Sequence, residues 1–179
     1  MSAPGPDDAP LIVSAVVDEP VQEAWDALRR RYFPPERNQL AAHLTVFHAL
    51  PGDAAGEVCD AVRDACRHPA PHGEVVSVRS LGRGAALVVE CPGLGAARTR
   101  IARALAGRLT RQDEQGFRPH VTVQNFVDPA TARATVAELT AGFAPRGFTV
   151  RELAVFRYRG GPWEPFAQFA FETPAADTP

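Results

Sequence analysis

The sequence predicts an α+β fold made of two similar α-β-α-β-β lobes facing a central cleft. Three observations carry that expectation. HLTVF at 43–47 returns as HVTVQ at 120–124, the second histidine standing 77 positions after the first. Helical and strand patterns follow one another in the same order around each copy. Each motif also stands at nearly the same distance from a glycine turn, 39 residues from His43 to Gly82 and 40 from His120 to Gly160. Such agreement points to duplication, and two similar units usually pack about a pseudo-twofold axis with a cleft between them.

The elements follow in order. LIVSAVV (11–17) is a short, continuous apolar run and reads as a strand. Pro20 opens a helix, because a first-turn position loses nothing by lacking an N–H; Val21, Ala24, Trp25, Leu28 and Tyr32 then recur at helical spacing. The loop FPPERNQ leads to the strand HLTVFHAL (43–50). Asp53 is placed to cap a second helix carrying Val58, Val62 and Ala65. Strands at about 74–81 and 85–90 flank the turn GRG at 82–84. From Gly93 a helix puts Leu94, Ala97, Ile101, Leu105 and Leu109 on one face. After a polar loop comes PHVTVQNF (119–126), then Asp128 and Pro129 as cap and first residue of a helix with Ala132, Val136, Leu139 and Phe143 along one side. Strands at about 147–158 and 165–172 enclose the turn GGP at 160–162. The expectation is one domain over 11–172, with lobes at about 20–90 and 93–172, between Pro- and Ala-rich flexible tails at 1–10 and 173–179.

Composition narrows the chemistry. With 45% hydrophobic and 22% charged residues, the chain is globular rather than disordered. No apolar run reaches the roughly 18 residues of a membrane span, and no basic-then-apolar leader is legible at the start, so a cytoplasmic protein without a membrane partner is expected. A net charge of −2 supplies no basic field to gather long nucleic acid, and no DNA partner is expected. All 19 basic residues are arginine. Without lysine, ATP-dependent ligation through a covalent lysine adduct is excluded. Cys59, Cys66 and Cys91 form no paired framework and read as reduced core thiols.

The repeated motif carries the functional expectation. Side chains alternate along a strand, so His43 and Thr45 share one face while Leu44 and Val46 point the other way. His120 and Thr122 do the same in the second copy. Each strand presents an imidazole and a hydroxyl about 7 Å apart, and a pseudo-twofold would aim two such pairs at one point. That arrangement suits displacement at phosphorus. One neutral histidine takes a proton from the attacking oxygen, one protonated histidine gives a proton to the leaving oxygen, and the threonines donate to the non-bridging oxygens. Histidine fits because both of its protonation states exist at neutral pH. Duplication alone would preserve the apolar strand positions; keeping His and Thr on the same face of both strands needs another reason.

HLTVF and PHVTVQNF, about 80 residues apart in a duplicated α+β frame, resemble the 2H phosphoesterase superfamily, especially its 2′-5′ RNA ligase branch. The resemblance spans about 11–172. It implies a bilobal fold with antiparallel sheets facing the cleft, and metal-independent hydrolysis of cyclic phosphodiesters without a cofactor. His43 and His120 would carry acid–base catalysis, with Thr45 and Thr122 on the phosphate. Members commonly open 2′,3′-cyclic phosphates to 2′-phosphates, and some join RNA ends by the reverse reaction. The implied partner is a cyclic nucleotide or RNA-end substrate taken by a monomer. Analogy gives the acid role to His43 and the base role to His120, although the pseudo-twofold leaves the two interchangeable on sequence grounds. A nucleotide-binding module that kept the cleft without turnover is the alternative, and the intact pairs favour the enzyme.

Other residues are weighed against packing. In RYRGGPW (157–163), Trp163 and Tyr158 are candidates for stacking on a base, and Arg157 or Arg159 for meeting a phosphate. Arg83, in the first unit's turn, is a similar but weaker candidate. His48 lies an odd offset from His43, so alternation turns it away from the site. Arg118 reads as a surface charge. HPAPH (68–72) offers two histidines, but its prolines prevent a helix that would align them, and no metal site is expected.

Overall fold

A computed structural model describes residues 8–172. The outer parts of the expected tails, 1–7 and 173–179, lie outside the described residues. Positions 8–10 are not frayed: the carbonyl of Pro10 accepts the Tyr158 N–H at 3.0 Å. The carbonyl of Ala9 lies so close to Gly52 that a Cβ there would sit 2.0 Å from it.

The elements run β1 (Leu11–Val17), α1 (Glu19–Tyr32), β2 (Leu44–Leu50), α2 (Ala55–Ala65), β3 (His72–Ser80), β4 (Ala85–Glu90), α3 (Pro92–Ala104), β5 (His120–Gln124), α4 (Pro129–Ala141), β6 (Arg146–Arg157) and β7 (Glu164–Ala170). After β1, the order α-β-α-β-β occurs twice, as the repeat predicts. The hairpin turns match as well. Gly82 (φ 80°) and Gly160 (φ 88°) both take the left-handed conformation that glycine adopts without a Cβ clash.

All strand pairings within the sheet are antiparallel. β1 lies between β2 and β6, while β2 continues through β5 and β4 to β3, and β3 pairs with the start of β6. Six strands thus close a circuit, and β7 extends outward from β6. The two sequence units exchange their hairpins. β3–β4 of the first unit lies beside β5 of the second, and β6–β7 of the second lies beside β1, the strand that precedes the first unit and pairs with its β2. The expected lobes at about 20–90 and 93–172 are therefore repeats of element order whose strands interleave.

Packing follows the patterns in the sequence with three local differences. On α1, Val21 and Trp25 are buried as expected, and Trp25 meets the edge of Phe148 at 5.5 Å; the third buried position is Arg29. Asp53 does not cap α2. A 3-10 turn, Gly52–Ala54, precedes that helix, and the Asp53 carboxylate accepts from Arg108 at 2.7 Å. Leu105 ends α3 as its cap residue and Leu109 lies beyond it, although both still pack on the core. The Asp128 cap is present, accepting the N–H groups of Ala130 and Thr131. No helix among the described residues is long and apolar enough to cross a membrane.

Candidate active site

β2 and β5 touch at a single register pair, Leu44 opposite Val121, both fully buried. Continuing that antiparallel register by one residue sets Thr45 across from His120 and His43 across from Thr122. The four side chains flank the buried pair on the opposite face of the sheet, so each histidine stands beside the other unit's threonine. All four line one cleft of about 390 Å³.

The histidines are held alike. Nδ1–H of His43 donates to the carbonyl of Ala41 at 2.9 Å, and Nδ1–H of His120 donates to the carbonyl of Arg118 at 2.9 Å. A carbonyl can only accept, so both rings carry the Nδ1 proton and present Nε2 as the working nitrogen. Burial lowers the His43 pKa from its ordinary value; the Ala41 bond opposes this, and Arg29, His120 and His48 push it down further. His43 is thereby biased towards the neutral form.

The segment entering His43 is fixed by polar residues of α1. Asp26 accepts the Ala42 N–H at 2.6 Å, and the Gln22 amide donates to the Ala42 carbonyl at 2.8 Å. The guanidinium of Arg29 donates to the carbonyls of Leu40 (3.0 Å) and Thr122 (2.9 Å) and lies 3.9 Å from the Phe33 ring centre. One buried cation therefore braces β5 and the segment that leads into His43 and β2. The sequence reading missed this role, because Arg29 sits in a run of three arginines that looks like an exposed face.

Both motif strands break alternation at the same place. Val46 and Phe47 are consecutive buried residues where the β1–β2 register slips, and Val123 and Gln124 repeat this where the β4–β5 register slips. A bulge adds one residue and reverses the facing of those that follow. His48 therefore lines the cleft, contrary to the parity expectation that turned it away.

The remaining candidates separate. Trp163 lines the cleft, with its ring 4.6 Å from that of His43 and 5.5 Å from that of Phe156. It also borders an adjoining recess of about 300 Å³, lined mainly by apolar groups that include Val16, Leu40 and Ala154. Arg157 is not brought to the cleft: its buried guanidinium stacks 4.7 Å from the Phe166 ring and reaches the Ala9 carbonyl. Tyr158 is exposed outside the cleft, Arg159 pairs with Glu164, and Arg83 donates to the Val127 carbonyl. Arg118, expected only as a surface charge, lines the cleft. Arg79 and Arg98 line it too. Arg79 shares a cross-strand row with Ala86 and Thr122, so it reaches the cleft over a small neighbour. No sequence periodicity marks that row, since it forms only when β4 lies between β3 and β5.

Two groups stay outside the site. His72 of HPAPH pairs through Nδ1 with the Thr149 hydroxyl at 3.0 Å. The three thiols are free, and burial raises all three pKa values, that of Cys66 to about 11. Among the described residues, no group of three or more His, Cys, Asp or Glu is gathered as a metal site.

The fold is shared with solved structures. TT0787 of Thermus thermophilus superposes with a TM-score of 0.67 at 14% identity, over 92% of this chain and 99% of that one. E. coli LigT complexed with NADP+ gives 0.60 at 16% identity, over 92% and 98%. E. coli LigT complexed with 3′-AMP gives 0.60 at 18% identity, over 93% and 99%. Among curated proteins, none matches the chain. The profile of the 2′-5′ RNA ligase superfamily matches residues 17–162. That span contains both His-x-Thr strands and the helix that braces them, and the chain belongs to the 2′-5′ RNA ligase superfamily.

Proposed function

We propose that this protein is a metal-independent 2′,3′-cyclic phosphodiesterase acting on cyclic nucleotides or RNA ends, with 2′-5′ joining when the 5′-hydroxyl of a second RNA end takes the place of water. The observation that carries the reading is the pairing of two His-Thr sets across the β2–β5 seam, each histidine fixed by a backbone carbonyl at Nδ1. In the forward direction Nε2 of one histidine removes a proton from water as its oxygen attacks phosphorus. The P–O3′ bond breaks, and the departing O3′ takes the proton from Nε2 of the other histidine. The 2′-phosphate remains, and proton exchange with solvent resets the pair. Thr45 and Thr122 donate to the non-bridging oxygens as charge grows there.

The surroundings of His43 favour it as the base, since it is the histidine held towards neutrality. This reverses the assignment by analogy. Trp163 stands between the reacting groups and the apolar recess, a position suited to a base or sugar face. LigT has been solved with 3′-AMP, ATP and NADP+, which supports a nucleotide-sized ligand for this cleft as well.

The test is incubation of the purified protein with 2′,3′-cyclic AMP in excess chelator, followed by chromatographic separation of products. The expected product is 2′-AMP. A dominant 3′-AMP product would mean that the substrate lies reversed. Activity lost to chelator and restored by a divalent ion would defeat the two-histidine mechanism.

A further inference from the structure

β2 carries a third histidine into the cleft. His48 lies three residues beyond Thr45, at most about 10 Å along an extended strand, and the bulge at Val46 and Phe47 gives it the cleft face. It is joined there to Asp113, a carboxylate only 1% exposed on the loop between α3 and β5. The backbone N–H of His48 donates to both Asp113 oxygens (2.9 and 3.2 Å), and the N–H of Ala49 donates to one at 2.9 Å. These bonds fasten the loop to β2 without the imidazole. The ring adds one longer contact, Nδ1–H to Oδ1 at 3.3 Å, and its side chain remains 47% exposed.

Tethering alone therefore does not account for a histidine at this position. Nor does the duplicated fold. The matching residue after the second bulge is Asn125, whose side chain bonds to the N–H of its own neighbour Phe126 and does not line the cleft. With Nδ1–H turned to Asp113, the opposite edge of the His48 ring, Nε2, is the one available to the cleft. Protonated, it is a charge-assisted donor to an anion, with the buried carboxylate behind it to offset its charge. Three arginines, Arg79, Arg98 and Arg118, line the same cleft as His48. Arg98 is committed to the carbonyls of Val46 and Asp113, whereas the exposed side chain of Arg118 lines the cleft while its carbonyl holds His120.

Resting on the cyclic phosphodiesterase reading, we infer that His48 and Arg118 bind a second phosphate of the substrate, next to the one that reacts. The substrate class is then a cyclic phosphate that carries another phosphate on the same molecule. That second group is either a terminal phosphate on the nucleoside 5′ oxygen or the internucleotide phosphate of an RNA end.

Calorimetric titration separates these sources without requiring turnover. The probes are adenosine 2′-phosphate, adenosine 2′,5′-bisphosphate and the dinucleotide ApA with a terminal 2′-phosphate. The wild-type protein should bind at least one of the two-phosphate probes about tenfold more tightly than the monophosphate. Preference for the bisphosphate identifies a terminal phosphate, and preference for the dinucleotide identifies an internucleotide one. In His48→Gln and His48→Phe, which keep the backbone tether, the ratio should fall towards one. Equal affinity for all three probes, no binding of any, or a preference that persists in both variants would each overturn the inference. A preference that depends on His48 in a protein that leaves intact both adenosine 5′-phosphate bearing a 2′,3′-cyclic phosphate and ApA ending in a 2′,3′-cyclic phosphate would overturn the hydrolase reading and support the second-phosphate site.

Discussion

At the scale of single residues, the site depends on two imidazoles whose tautomers are fixed by carbonyls two positions earlier in the chain. Replacing either His43 or His120 with Ala should lower kcat/KM for a cyclic nucleotide by about 10²–10⁴-fold, the usual worth of a positioned acid or base. The double variant should be little worse than the poorer single one, because the pair works as a unit. Thermal unfolding should change little, since both side chains line an open cleft and neither is fully buried. Full activity in either single variant, measured on the folded protein, would remove that histidine from the mechanism. The His-x-Thr pairs were legible in the sequence because their apolar partners mark the buried face. Arg29, Arg79 and Arg118 were not, because their positions depend on strands and loops distant in the chain.

At the scale of elements, the 105–119 loop is secured to β2 through one carboxylate. Asp113 is buried and accepts the backbone N–H groups of His48 and Ala49. Removing it in Asp113→Ala leaves those donors without their partner, at a cost of about 1–3 kcal/mol for each group left unsatisfied. Chemical denaturation should show a lower midpoint with little change in slope. Burial tends to raise the Asp113 pKa, but the hydrogen bonds from the His48 side chain and from the His48 and Ala49 backbone outweigh it, and the pKa is lowered. A carboxylate lowered on folding contributes stability above its ordinary pKa and loses it as pH falls through the lowered value. The difference in stability between wild type and Asp113→Ala should therefore shrink below about pH 4, the ordinary range of an aspartate. A difference that stays constant into acid would mean that the charged carboxylate is not the tether. The bulges belong to this scale too. Alternation reads HLTVF correctly up to Thr45 and fails one residue later, because register slips are set by the neighbouring strand.

At the scale of the whole molecule, the two units place two histidines in a single cleft, and the proposed reaction needs one of them neutral and the other protonated. The pH dependence of kcat/KM should be bell-shaped. Because burial, Arg29 and the neighbouring histidines lower the His43 pKa, a base at His43 would lose activity only as pH falls below the ordinary histidine value of about 6.5. The acid limb should therefore lie below that value. An acid limb at or above it would return the base role to His120.

The sequence by itself determined the α+β class, the duplicated order of elements and the four motif residues. These are local matters, settled by two periodicities, by turn glycines and by the alternation of side chains on a strand. Only the tertiary structure decided that the hairpins exchange between units, that β2 and β5 meet at one buried pair, and that His48 faces the cleft while Arg157 does not. Which strand lies beside which depends on pairing between distant segments, and a single bulge reverses the facing of every residue after it. Neither leaves a periodic trace in the chain.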